Sequence, residues 1–267
     1  MSRRACVLIA LVALIAVAAG VALVSTAGVA ANKKTELLVF VGSASKPPML
    51  AVKQVYEKSH PDISLEMTFG GSGTLLNQVI LERTGDVYVP GSDDFMDKAQ
   101  KQKAVIPGTR KVICYLVPVI NVQHGNPKNI RSLADMGRPK ITVGLAKAGA
   151  VCLGDVSDEI LRNAGVEDQV KKNVLTYAGS CEQTQQLVEL GEVDAIIGWD
   201  CFKAWAPDKI DNVKIPAKLI RVRNIPGAVI TYSKQQKAAA EFVNYLASNQ
   251  CKAIFNKHGY SIKPPKI

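Results

Sequence analysis

Two kinds of donor recur where an apolar run gives way to a helix-forming run. "VFVGSASKP" and "TFGGSGT" carry Ser43, Ser45, Ser72 and Thr74 beside glycines, while "AGAVCLG", "YAGSCEQ" and "GWDCF" carry Cys152, Cys181 and Cys201. A Gly/Ser turn that opens a helix offers backbone N–H groups with no intrahelical partner, a hydroxyl, and the positive end of the helix dipole. Two such turns at one sheet edge suit a small anion without any charged side chain. The same serines and threonine also suit plain helix capping. The three cysteines admit three roles. Two of them form a disulfide, if their Cα atoms lie within about 7 Å. Two or three act as thiolates for a thiophilic species: an arsenite-like ligand, a thio-oxyanion or a soft metal ion. Or they pack as small apolar side chains. Cys114, inside "KVICYLVPVI", and Cys251, on the last helix, read as packing.

Other reactive side chains offer less. His60, His124 and His258 stand in unrelated turn or helix-end contexts and read as surface or capping residues. No H-E-x-x-H, phosphate-loop or serine-protease pattern occurs, so a catalytic acid/base pair has no visible carrier and an enzyme is not expected. No C-x-x-C spacing points to a zinc ribbon or a redox pair, and no cofactor is implied. Asp155, Glu182 and Asp200 lie near the cysteine turns; the first two read as helix-start charges. Trp199 reads as a wall of a cleft.

The elements that must position these turns alternate. "ELLVFVGSAS", "ISLEMTFGG", "GDVYVPGS" and "KVICYLVPVI" read as strands, with helical spacing between them. After the turn-rich "NVQHGNPKNIRSLADMGRP" the alternation restarts with "KITVGLA", "NVLTYA" and "DAIIGW" as strands. Strand–helix alternation at short spacing implies α/β architecture with mainly parallel sheets. Extended segments near 117–121 and 226–230 let the chain cross twice between two lobes, leaving a cleft. The expected division is residues 32–118 with 229–267 for the first lobe and 119–228 for the second.

Residues 5–31 hold no charged side chain and follow Arg3 and Arg4. This reads as an export signal, or as an anchor, since it exceeds the roughly 20 apolar residues that span a bilayer. The remaining chain keeps a net charge of about +8 of the total +10. That balance favours anionic partners. Lysines are scattered, with no basic block interleaved with aromatics, so nucleic acid is not expected. Five cysteines outside the leader, an odd number, leave at least one thiol unpaired in an oxidising compartment.

"GSASKPPMLAVKQVYEKSHPDISLEMTFGGSGTLLNQVILERTGDVYVPGSDDFMDKAQKQKAV" resembles the extracytoplasmic molybdate/tungstate-binding proteins of ABC transporters, as does the closing "IPGAVITYSKQQKAAAEFVNYLASNQCKAIFNKHGY". The resemblance implies a two-lobed periplasmic-binding-protein fold, each lobe a sheet flanked by helices. It implies closure over one oxyanion, a permease as partner, an extracytoplasmic location and a monomer. Position by position, Ser43 and Ser72 match the family's ligand serines, with Ala44 and Gly71 beside them. The family's backbone turn aligns with "AKAGAVCLG", bringing Val151 and Cys152 to the ligand. Its second-lobe helix start aligns with "GSCE", which places Cys181 and Glu182 there. Its ligand tyrosine falls at Gly198 or Trp199, with Asp200 and Cys201 next to it. Some tungstate-binding members complete an octahedral shell with carboxylates, a role that would fall to Glu182 and Asp200. All three second-lobe turns depart from the family pattern, and each departure introduces a cysteine.

Overall fold

A computed structural model describes residues 34–266; the apolar leader expected over 1–31 lies outside the described residues. Among the described residues no helix is long and apolar enough to cross a membrane. The chain runs β1 (Thr35–Gly42), α1 (Lys46–Ser59), β2 (Ile63–Gly70), α2 (Ser72–Glu82), β3 (Val87–Val89), α3 (Asp93–Lys101) and β4 (Lys111–Leu116). It continues as β5 (Pro118–Gln123), β6 (Val143–Ala146), α4 (Cys152–Ala164), α5 (Glu167–Lys171), β7 (Val174–Ala178), α6 (Cys181–Glu189), β8 (Ala195–Trp199), α7 (Phe202–Trp205) and β9 (Ile210–Lys214). It closes with β10 (Arg223–Val229), α8 (Gln236–Leu246) and α9 (Asn249–Lys257).

Two five-stranded sheets result, ordered β2-β1-β3-β10-β4 and β7-β6-β8-β5-β9. In the first, β1 is parallel to β2 and β3, and β10 is antiparallel to β3 and β4. In the second, β6 is parallel to β7 and β8, and β5 is antiparallel to β8 and β9. Each sheet is therefore four strands of one direction with a single reversed strand inserted. The reversed strands, β5 and β10, are the ones that have just crossed from the other lobe. This is the two-lobed α/β architecture expected from the alternation of strands and helices.

The position of one crossing differs from expectation. The first falls at Val117, between β4 and β5, but the second lies at residues 215–222, because Arg223–Val229 is already paired with β3 and β4. Residues 223–228 therefore lie in the first sheet and Pro118 in the second. Pro226 cannot donate to a ladder. Here it sits at a register shift between Ile225 and Pro226, a bulge that absorbs the missing N–H.

The core follows from helices covering both faces of each sheet. Leu37, Val39 and Val41 of β1 meet Met49, Val52 and Tyr56 of α1, while Phe40 points the other way onto Leu75, Leu76 and Val79 of α2. Residues of period 2 on the strand thus meet residues of period 3.6 on the helix. Each such buried side chain contributes about 2 kcal/mol of apolar burial. Pro47 and Pro48 occupy the first turn of α1, where a missing N–H does no harm, and the helix stops ahead of Pro61. The larger of two buried apolar clusters runs through both lobes, with Ala44 and Phe95 on one side and Val151, Cys152 and Cys181 on the other, while Phe40 and the α2 residues it meets belong to a second cluster.

Candidate functional site

Five strand-to-helix turns converge at the facing edges of the sheets. The first lobe supplies the ends of β1, β2 and β3, and the second lobe the ends of β6 and β7, with β8 behind them. All lie at carboxyl ends of strands, where helix N-termini aim their orphan amides into the cleft.

The serines do not cap their own helices. Ser72 Oγ accepts from Gly91 N at 3.0 Å, tying the β2 turn to the β3 turn, while Tyr88 Oη donates to the Ser72 carbonyl at 2.8 Å. Ser43 Oγ reaches across the cleft and accepts from Glu182 N, in the first turn of α6, at 3.3 Å. Ser45 Oγ donates to the Gly42 carbonyl, a local turn contact. The Ala44 carbonyl accepts from the Tyr260 phenol, which anchors this turn from behind.

The second lobe returns the exchange. Gly73 N and Thr74 N, both at the start of α2, donate to the Ala150 carbonyl at 2.9 and 3.3 Å. A Cβ on Gly73 would lie 2.1 Å from the Gly149 carbonyl oxygen, and one on Gly71 2.5 Å from that of Ala150. Only glycine lets the two backbones meet here. Val151 N is already bonded to the Lys147 carbonyl at 2.9 Å, so the amide that the family alignment offered to the ligand serves the turn instead.

Cys152 and Cys181 meet. They begin α4 and α6, which follow the adjacent parallel strands β6 and β7, and their sulfurs stand 4.0 Å apart with both residues 1 % exposed. Donors surround the pair: Ser72 and Ser92 hydroxyls and the Leu153 N–H lie beside Cys152, and the Trp199 indole N–H faces Cys181. Trp199 Nε1 and Ser92 Oγ are fully buried and have no other hydrogen-bond partner. The hydrogen bond from Cys181 and these donors together pull the Cys152 thiol below its usual range against the opposing effect of burial. The hydrogen bond with Cys152, then burial, push the Cys181 thiol well above its usual range. Of the two sulfurs, Cys152 is therefore the more acidic.

The remaining expected site residues are placed elsewhere. Glu182 points to the cleft mouth and pairs with Lys46 of the other lobe at 2.8 and 3.0 Å. Asp155 accepts from Lys98 across the cleft at 2.8 Å and from Gly149 N at 2.6 Å. Asp200 and Cys201 do not join the cluster. The Asp200 carboxylate accepts from Val117 N and Cys201 N, and Asp200 N donates to the Val117 carbonyl, so this residue clamps the first crossing. It borders a cavity of about 680 Å³ lined also by Pro118, Asn212 and Ile220. Burial lifts its carboxyl to about 6. Cys201 lies behind the site against Tyr260 and Gly259, and all five described cysteines are free of disulfides. The reason is local: Trp199, Asp200 and Cys201 are consecutive residues leaving a strand, so their side chains point in different directions.

Sequence reasoning missed Arg223. It is 2 % exposed on β10, bonds Asp94 of the first lobe at 2.7 and 2.9 Å, and also grips Glu159 of the second. Its only sequence signal was a charge at the head of an otherwise apolar strand. Among the described residues no group of three or more His, Cys, Asp or Glu side chains could hold a metal ion.

A fold of two lobes joined by two crossings, with helix N-termini facing across a narrow cleft, defines a protein that clamps a small solute between its halves. Residues 37–261 match the family described as bacterial extracellular solute-binding protein, and the chain belongs to that family. It is a binding protein that works outside the cytoplasm, and not an enzyme. It is 24 % identical over 227 residues to a "putative binding protein" of Haemophilus influenzae, covering 84 % of this chain and 90 % of that one. It is 23 % identical over 225 residues to the molybdate-binding protein ModA of Mycobacterium tuberculosis, covering 84 % of each. The sulfate-binding protein SubI of the same organism shares its fold, with a TM-score of 0.76 at 18 % identity over 86 % of this chain and 88 % of that one.

Proposed function

We propose that this protein captures a small oxyanion of the molybdate/tungstate class by lobe closure and delivers it to an ABC permease. The observation that carries this reading is the reciprocal exchange of hydrogen bonds across the cleft. Helix-start amides of each lobe find acceptors on the other, at Ser43 Oγ and at the Ala150 carbonyl. An oxyanion offers the same acceptor chemistry as those oxygens, and neutral amides and hydroxyls hold it without a counter-charge. Lys46 and Lys98, which reach across the cleft, are already paired with Glu182 and Asp155, so the basic surroundings serve to raise local anion concentration. Ser43, Ala44, Gly71 and Ser72 are the first-lobe contacts in this reading, and the first turns of α4 and α6 the second-lobe contacts. Closure is the state the permease reads.

Calorimetric titration of the exported part with molybdate, tungstate, sulfate and phosphate tests the reading. Molybdate or tungstate should bind and raise the melting temperature, and Ser43→Ala should weaken that binding while leaving the ligand-free melt in place. Absence of binding by all four anions, or identical isotherms for wild type and Ser43→Ala, would sink it.

A further inference from the structure

The thiol pair supplies something that a seat of hydroxyls and amides does not need. Cys152 and Cys181 sit 4.0 Å apart inside the closed cleft, and Gly91 leaves room for one of them: a Cβ there would lie 2.8 Å from Cys152 Sγ. Bonds from thiolate sulfur to a soft centre are about 2.3 Å long, so two of them from one atom span this separation. No third protein thiolate, imidazole or carboxylate completes a cage, because Cys201 and Asp200 point away and Glu182 is engaged by Lys46. The Ser72 and Ser92 hydroxyls, the Leu153 N–H and the Trp199 indole beside the sulfurs can each donate, and two of them, Trp199 Nε1 and Ser92 Oγ, are wholly buried without a partner. Donors repel a bare cation and welcome oxygen. The arrangement fits a species that bonds sulfur through its central atom and still presents an oxygen.

Resting on the lobe-closure reading above, we propose that the cleft takes a trivalent metalloid oxo-acid of the arsenite type, bound by Cys152 and Cys181 through sulfur. Its remaining oxygen accepts from Trp199 Nε1 and Ser92 Oγ. The step is a condensation. Two bonds from the metalloid to hydroxyl oxygen break, two bonds to sulfur form, and each thiol proton leaves with a hydroxide as water. Two waters are released, no electron changes hands, and hydrolysis reverses the step. Cys152, the more readily ionised of the two thiols, gives up its proton and attacks first, since thiolate is the attacking form.

The test uses the exported part kept reduced with a phosphine, titrated with sodium arsenite while thermal stability and reactive thiols are followed. Arsenite should raise the melting temperature and mask two of the five thiols. Cys152→Ser and Cys181→Ser should each weaken arsenite binding by at least about 100-fold, because two-point attachment becomes one-point. Trp199→Phe should weaken it by about 10-fold with the two thiols still masked, as expected of a group that holds the ligand's outer atom. Cys201→Ala should bind as wild type. Tungstate titrated into the same variants reports whether the cleft still folds and closes. No stabilisation of reduced wild type by arsenite overturns the proposal, as does undiminished arsenite binding by the Cys152→Ser/Cys181→Ser double variant. So does a Cys152–Cys181 disulfide that the phosphine does not open. Each of those results leaves the oxyanion reading standing if tungstate binds.

Discussion

The two lobes build the same mouth with different chemistry. Each presents strand-to-helix turns at the carboxyl ends of like-directed strands, and each is entered by one reversed crossing strand. The first lobe lines its turns with Gly and Ser and bonds through oxygen and backbone nitrogen. The second lines its turns with Cys152, Cys181 and Trp199, soft or aromatic side chains packed against a continuous core. The difference teaches that backbone amides at helix starts belong to the topology, while the chemical character of the mouth belongs to the few side chains that the turns project between them. A hard half facing a soft half is what sets this cleft apart from one lined by hydroxyls throughout.

The sharpest way to break the comparison is to stop the halves meeting. Gly73→Val places a branched side chain where even a Cβ would lie 2.1 Å from the Gly149 carbonyl oxygen. A steric penalty of about 3 kcal/mol on closure should lower anion affinity roughly 100-fold. Small-angle scattering should show a larger radius with ligand than wild type shows, while the unfolding midpoint of the free protein stays near its original value. A wild-type affinity in this variant would mean that closure is not required.

The hinge comes next. Asp200 is held near 6 by burial, above its unfolded value, so the folded protein binds that proton more tightly than the unfolded chain. The stability it contributes is therefore fully present below about pH 4 and is lost as the pH rises through 6. Urea unfolding at pH 4, 5, 6 and 7 should show a relative loss of about 2 kcal/mol over that window. Asp200→Asn should remove the loss and flatten the profile, because its amide cannot ionise. Equal pH profiles for the two proteins would remove Asp200 from the hinge.

A smaller effect separates the oxygen half from the sulfur half. Ser43→Ala deletes the acceptor for Glu182 N and should lower oxyanion affinity by about tenfold, near 1.4 kcal/mol. Its effect on arsenite should be several-fold smaller, since Ser43 touches the amide of Glu182 and not the sulfurs. Equal losses for both ligands would show that the halves do not act separately. Smallest of all, Lys46→Ala removes a pair whose side chains are about a third exposed, and should change affinity less than about threefold with a visible salt dependence.

Much of the first lobe was legible before any coordinates. "VFVGSAS" and "TFGGSGT" each announce strand, turn and helix within a few residues, because alternation, glycine and a hydroxyl are local signals. The cysteines stood open between a disulfide, a ligand set and packing, with no pair singled out; that Cys152 meets Cys181 follows from β6 and β7 being neighbours, which no short window reveals. The placing of Cys201 with them failed for a local reason: one residue of rotation at a strand end decides whether a side chain faces the cleft or the hinge. Trp199 read as wall, yet its N–H faces Cys181 with no other partner.

Alternation and turn chemistry determined α/β architecture with Gly/Ser turns at strand ends, and the family resemblance added the solute-binding role, because those features depend on residues within one or two turns of each other. Only the tertiary structure decided which helix starts face which acceptors, and that Asp200 clamps a crossing. It also decided that Arg223 joins the lobes and that two thiols share one pocket. Those outcomes depend on contacts between residues up to 139 positions apart, as for Ser43 and Glu182, and long-range pairing is set by packing of the whole molecule.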